Sequence, residues 1–86
     1  MSEDEKMELI LWSADWCRPC GILKEWLKGK RVSVEIQHRN PEDYPAAAIA
    51  SKVRGLPTLE IIWESGVTTQ VVGAPEIRQV IEGWVE

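Results

Sequence analysis

Residues 7–28 read MELILWSADWCRPCGILKEWLK, and the change of pattern halfway along decides what kind of fold the chain makes. Met7 to Trp12 is a short apolar run, the pattern of a strand buried on both faces. SADW breaks it. From Cys17 to Lys28 the apolar residues Cys20, Leu23, Trp26 and Leu27 fall at offsets 0, 3, 6 and 7, which is one stripe of a helix, and Gly29 is a fitting stop. Both cysteines of the chain, Cys17 and Cys20, therefore stand at a helix N-terminus just after a buried strand.

Outward from that unit the pattern continues to alternate. Val32, Val34 and Ile36 interleave with Ser33, Glu35 and Gln37, which predicts a second strand, and HRNPED (38–43) reads as the turn after it. Pro45 and an alanine-rich body predict a second helix over Asp43 to Lys52. TLEIIW and VTTQVV are β-rich runs joined by ESG, a hairpin with Gly66 at its turn. Pro75 opens a last helix whose Ile77, Val80, Ile81, Trp84 and Val85 lie at offsets 0, 3, 4, 7 and 8, with Gly83 weakening its end. The order β-α-β-α-β-β-α predicts an α/β fold, a four-stranded mixed sheet flanked by three helices. Its first two strands are parallel through a right-handed crossover and its hairpin is antiparallel. One domain is expected over residues 7–86, preceded by a polar extension, 1–6.

A chain of 86 residues removes only about 60–65% of its unfolded surface from water, so the core must be compact. There is no Phe, and Trp12, Trp16, Trp26, Trp63 and Trp84 are expected to supply most of the large aromatic burial. A net charge of −4 gives no basic field for a phosphate backbone, which argues against nucleic acid as partner. No apolar run approaches the ~18 residues of a membrane span. MSEDEK is acidic where a secretory signal would be basic and then apolar, so a cytoplasmic location is expected. In a reducing cytosol a lone cysteine pair is seldom a permanent staple, and so short a loop constrains the unfolded chain weakly. Catalysis or metal binding is the better reading.

A nucleophilic sulfur must be a thiolate, and a helix N-terminus favours that negative charge through its free N–H groups and its dipole. Cys17 is placed for this, with Arg18 beside it as electrostatic support and Pro19 stiffening the first turn. Cys20 lies one turn deeper on nearly the same side, where it can resolve a mixed disulfide formed on Cys17. Trp16 either rims the site or packs in the core. A structural zinc needs four N or S ligands, and beyond this pair the chain offers only His38, which reads as a surface residue in a turn; no metal is expected.

A second informative stretch, KVRGLPTLEII (52–62), puts Pro57 at the start of a strand, where its missing N–H does no harm. WCRPC opening a helix, VRGLPTL entering a strand, a hairpin closing at Gly66 and VVGAPEIRQVIEGWV at the end together resemble the thioredoxin family, in the short layout shared with glutaredoxins. The resemblance runs from Met7 onward. It implies a cis Leu56–Pro57 bond lying against the cysteine pair, with the Leu56 backbone free to pair with an extended substrate. It further implies an apolar rim of Ala14, Trp16, Leu56, Thr58, Gly73 and Ala74, and no cofactor beyond the redox-active disulfide Cys17–Cys20. The implied activity is thiol-disulfide exchange as a cytosolic electron donor to disulfide-containing proteins, a class of client that in this family includes ribonucleotide reductase.

Departures from the family pattern bear on that reading. CGPC is here CRPC, the buried Asp common six residues before the first Cys is Leu11, and Glu25 stands near the place of a kinking proline. Asp15 occupies the neighbourhood where glutaredoxins carry a basic residue for glutathione, and GAPE replaces their acidic pair. Both favour a flavoenzyme of the thioredoxin-reductase type over glutathione as reductant. Two alternatives stay open: a glutathione-dependent glutaredoxin-like reductase, and a non-catalytic module that uses the same surface to hold a partner protein.

Overall fold

In the computed structural model, which describes residues 7–86, Leu9, Ile10, Leu11 and Trp12 are all buried because β1 (Glu8–Trp12) runs through the interior of the sheet. With β2 (Ile36–Arg39), β3 (Thr58–Ile62) and β4 (Thr68–Val72) it forms a four-stranded sheet in the order β2-β1-β3-β4. β1 and β2 are parallel, from Leu9 opposite Ile36 to Trp12 opposite Arg39. β3 is antiparallel to both its neighbours, with Trp12 opposite Thr58 and Thr58 opposite Val72. Three helices complete the predicted order: α1 (Arg18–Lys28), α2 (Pro45–Ala50) and α3 (Ala74–Glu82). The polar extension expected over residues 1–6 lies outside the described residues.

Successive strand residues point to opposite faces, so the sheet builds two unequal layers. On one side Leu9, Leu11, Leu59 and Ile61 pack with Leu23 of α1 and Ile77 and Ile81 of α3. On the other, Ile10 and Trp12 meet Ala48 of α2, with Val53 and Leu56 partly buried against them. The β3–β4 hairpin closes where Gly66 takes φ +94°, a backbone conformation that side chains disfavour.

Four expectations are corrected. The alternation of Val32 and Val34 does not form ladder: the second strand starts at Ile36 and continues through His38 and Arg39, so the turn begins at Asn40 rather than His38. Parallel pairing with β1 fixes those limits, while Val32 and Val34 pack against the core from a non-strand segment, Val32 bridging to Val85. The last helix ends at Glu82, with Gly83 as its cap, and the apolar Trp84 and Val85 reach the core beyond it; the second is shorter than the predicted 43–52. Finally, the tryptophans do not fill the core. Only Trp12 is fully buried; Trp16 and Trp63 are exposed, and aliphatic side chains occupy the interior.

Candidate active site

Cys17 is the N-cap of α1: its backbone is extended, φ −86° and ψ 109°, and its Sγ accepts the N–H of Cys20 at 3.3 Å. A sulfur here thus occupies the position at which a capping side chain satisfies a free helix amide. Pro19 sits in the first turn, where its missing N–H leaves no bond broken. The two sulfurs form a disulfide, the Cα atoms 5.2 Å apart. Cys17 retains 6% of its accessible surface and Cys20 only 1%, so the first thiol is the outer and the second the inner of the pair. Both pack with Ala14, and Leu56 leans on them from the segment before β3.

That segment brings Pro57 to the site. Its peptide bond with Leu56 is cis, and the ring is fully buried. Among the described residues, neither the N–H nor the C=O of Leu56 pairs with another backbone group. Pro57 C=O accepts the N–H of Gly73 at 3.0 Å, which ties the turn before α3 to the segment before β3. Gly73 has φ +102°, and a Cβ there would come within 2.6 Å of Glu76 Oε1, so the Glu76 side chain lies folded over a glycine that no other residue replaces without strain. Ala74, half-buried, begins α3 beside it.

The other rim residues divide. Trp16 is 68% exposed and donates its indole N–H to Glu42 at 3.0 Å, which settles it on the surface rather than in the core. Thr58 and Ala14, expected on the rim, are buried beneath it; the Thr58 hydroxyl donates to Gly55 C=O. Arg18, at the first helical position, is exposed. Glu42 and Glu76 were not legible as site residues. The signals for them are weak: Asn40-Pro41 just after a strand, with Asn40 Oδ1 accepting the Glu42 N–H at 2.8 Å, and an acidic residue three positions after the helix-starting Gly73.

Leu11 is fully buried among aliphatic side chains, so no carboxylate lies at that position. The sheet's buried carboxylate is Glu60 on the opposite face, accepting the Trp12 indole N–H at 3.1 Å. His38, on β2, shares a polar depression with Ser13, Asp15, Lys24 and Asp43. The residue as a whole stays exposed, but partial desolvation of its ring in that depression, reinforced by the Lys24 ammonium, holds its pKa below the ordinary histidine value. Among the described residues no group of three or more His, Cys, Asp or Glu side chains is arranged to hold a metal ion.

A family model described as thioredoxin matches residues 1–86. A thioredoxin of Chlamydia caviae is 34% identical over 76 residues, covering 85% of this chain and 74% of that protein. Among solved structures, Plasmodium falciparum thioredoxin superposes with a TM-score of 0.75 at 21% identity, over 94% of this chain and 73% of its own. A single-site mutant of the thioredoxin from Halobacterium salinarum gives a TM-score of 0.71 at 27% identity, over 99% and 80% of the two chains.

Proposed function

This chain belongs to the thioredoxin family and is a thiol-disulfide oxidoreductase, and we propose that it works as a protein disulfide reductase, a cytosolic electron donor with Cys17 as nucleophile and Cys20 as resolving thiol. The observation that carries the assignment of roles is the difference between the two sulfurs: Cys17 caps α1 and keeps contact with solvent, whereas Cys20 is enclosed.

The cycle follows from that arrangement. In the reduced chain the Cys17 thiolate, held by the Cys20 N–H and the helix dipole, attacks one sulfur of a substrate disulfide and expels the other as a thiolate. Cys20 gives up its proton and attacks Cys17 Sγ, which releases the second substrate thiol and forms the Cys17–Cys20 disulfide. Two electrons have passed to the substrate, and a reductase must return them. The free N–H and C=O of Leu56, beside the cis Pro57, would hold an extended substrate strand across the pair, with Trp16, Gly73 and Ala74 as flanking walls.

The residues flanking the motif and at the head of α3 support a flavoenzyme of the thioredoxin-reductase type over glutathione. Asp15 is exposed just before the motif, where a glutathione carboxylate would meet like charge, and Gly73-Ala74 stand where glutaredoxins carry an acidic pair for glutathione. Disulfide-bearing proteins are the substrate class, and ribonucleotide reductase is a candidate client by family resemblance alone.

The test is reduction of insulin by the chain recycled with thioredoxin reductase and NADPH, against glutathione with glutathione reductase. Turnover with the first system and little with the second is expected, and Cys20→Ser should accumulate a mixed disulfide through Cys17. Failure to reduce insulin with either system, while the first turns over a control thioredoxin and the second a control glutaredoxin, would remove the assignment.

A further inference from the structure

Away from the peptide-facing side of Pro57, a groove of about 590 Å³ lies between α1 and α3, starting at the cysteine loop and running down the helices. Its upper end is Arg18 and Pro19 on one lip and Ala74 on the other, residues adjoining Cys17 and Gly73 in sequence. Its floor is apolar, formed by Ile22, Leu23 and Trp26, and Ile22 is 62% exposed where a helix facing a sheet would be expected to turn a polar residue outward. Two guanidiniums border it: Arg18 at the mouth and Arg78 further along, the latter stacked 5.0 Å from the Trp26 ring, whose indole also lies 5.5 Å from the Lys30 ammonium. Glu82 closes the lower end. On a chain of net charge −4, the upper and middle groove is thus a local basic and apolar strip.

We propose that this groove is an extended subsite for the partner polypeptide, taking an aliphatic segment flanked by Asp or Glu that lies next to the partner's disulfide. The reading rests on the proposed disulfide-reductase activity and adds to it which substrates are preferred. Ile22 and Trp26 bury the aliphatic side chains, while Arg18 and Arg78 pair with the acidic ones. Arginine suits that role because its planar fork both stacks on an indole and pairs with a carboxylate. Continuity with the cysteine loop means that a bound segment and the scissile disulfide belong to one stretch of partner chain.

The experiment uses two synthetic peptides, each carrying one cysteine as a mixed disulfide with 2-nitro-5-thiobenzoate, and follows release of the yellow thiol by the reduced chain. One peptide extends from its cysteine with alternating Leu and Glu, the other with alternating Leu and Lys; extensions on either side of the cysteine cover both directions of binding. Single-turnover rate constants are expected to favour the acidic peptide by roughly three- to tenfold, the range of one or two screened charge pairs. The preference should shrink as ionic strength rises from about 20 mM to about 500 mM. Arg78→Glu should reduce or invert the ratio of the two rate constants, a quantity in which any general loss of activity cancels. Equal rates for the two peptides, or a ratio untouched by Arg78→Glu, would overturn the subsite. A sedimentation coefficient that rises with chain concentration and falls on Arg78→Glu would assign the groove to a second copy of the chain and equally overturn it. Release from neither peptide, with free 5,5′-dithiobis(2-nitrobenzoate) also untouched, is the separate result that defeats the underlying activity.

Discussion

Trp12 and Glu60 are 48 residues apart in sequence and meet inside the α2 face of the sheet, where the indole N–H is the hydrogen bond the structure provides to a nearly buried carboxylate. Removing the donor leaves that carboxylate short of a partner in a poorly solvated place, a loss of about 1–3 kcal/mol to which the lost packing adds. Trp12→Phe should therefore lower the urea midpoint by more than Glu60→Gln, which keeps an acceptor for the indole. The double variant Trp12→Phe with Glu60→Leu should be more stable than the sum of the single changes implies. A strictly additive pair would show that the bond contributes nothing. None of this could be read from TLEIIW, because one acidic residue in an apolar strand does not name its partner. Cys17 was legible from its local pattern, a thiol at the first turn of a helix, whereas the place of Pro57 beside it came only through the family resemblance of its stretch. Composition gave the number of tryptophans but not their places, and Trp16, held outside by Glu42, shows the difference.

At the scale of elements, the limits that sequence pattern placed well are those marked by a glycine: Gly29 after α1 and Gly66 in the hairpin. β2 was misplaced because its limits come from pairing with β1, a long-range fact, while its apolar alternation begins earlier. α2 ends in a way glycine would serve better. Lys52 takes φ +59°, with its N–H on Ile49 C=O at 3.0 Å and the Val53 N–H on Ala48 C=O at 2.9 Å, the bonding of a Schellman cap. A non-glycine residue there costs about 1–2 kcal/mol, and the added freedom of glycine in the unfolded chain offsets about 0.5–1. Lys52→Gly should thus raise stability by roughly 0.5–1 kcal/mol in urea unfolding, whereas Lys52→Ala should not. β2 also carries a pH dependence. His38 has a folded-state pKa below its unfolded value, from burial first and from Lys24 second, with Asp15, Asp43 and Arg39 as the other charged groups around it. Its contribution is full above the unfolded pKa, near about 6.5, and is lost as the pH falls through the lower folded value, because the unfolded chain then binds the proton more readily. Urea midpoints measured from about pH 7.5 down to about pH 5 should fall less steeply for His38→Gln than for the parent chain. Identical slopes would exclude the histidine as a contributor.

Across the whole molecule, the two faces of the sheet differ in how much they hold. The α1 and α3 face packs Leu9, Leu11, Leu23, Leu59, Ile61, Ile77 and Ile81 into one aliphatic cluster, whereas α2 is only six residues long and contributes Ala48 alone as a buried side chain. Burial of apolar area is the main favourable term, so the first layer should set the global stability and the second should open on its own at lower free energy. Amide hydrogen exchange separates these cases. Amides of β1 and β3 should exchange only with global unfolding, and those of Ile49 to Ser51 should exchange faster through local opening. Leu59→Ala, at a fully buried position of the first layer, should cost about 2–5 kcal/mol, a large part of the roughly 5–15 kcal/mol typical of a domain. Its protection loss should then appear in full at β1 and β3 while the α2 amides, which already exchange without unfolding the first layer, keep nearly their original rates. Equal losses in both sets would mean that the sheet and α2 open as one unit. In that event the loop carrying Leu56 and Pro57, which follows α2 directly, would be as rigid as the core, and substrate pairing at Leu56 could draw on no local opening there.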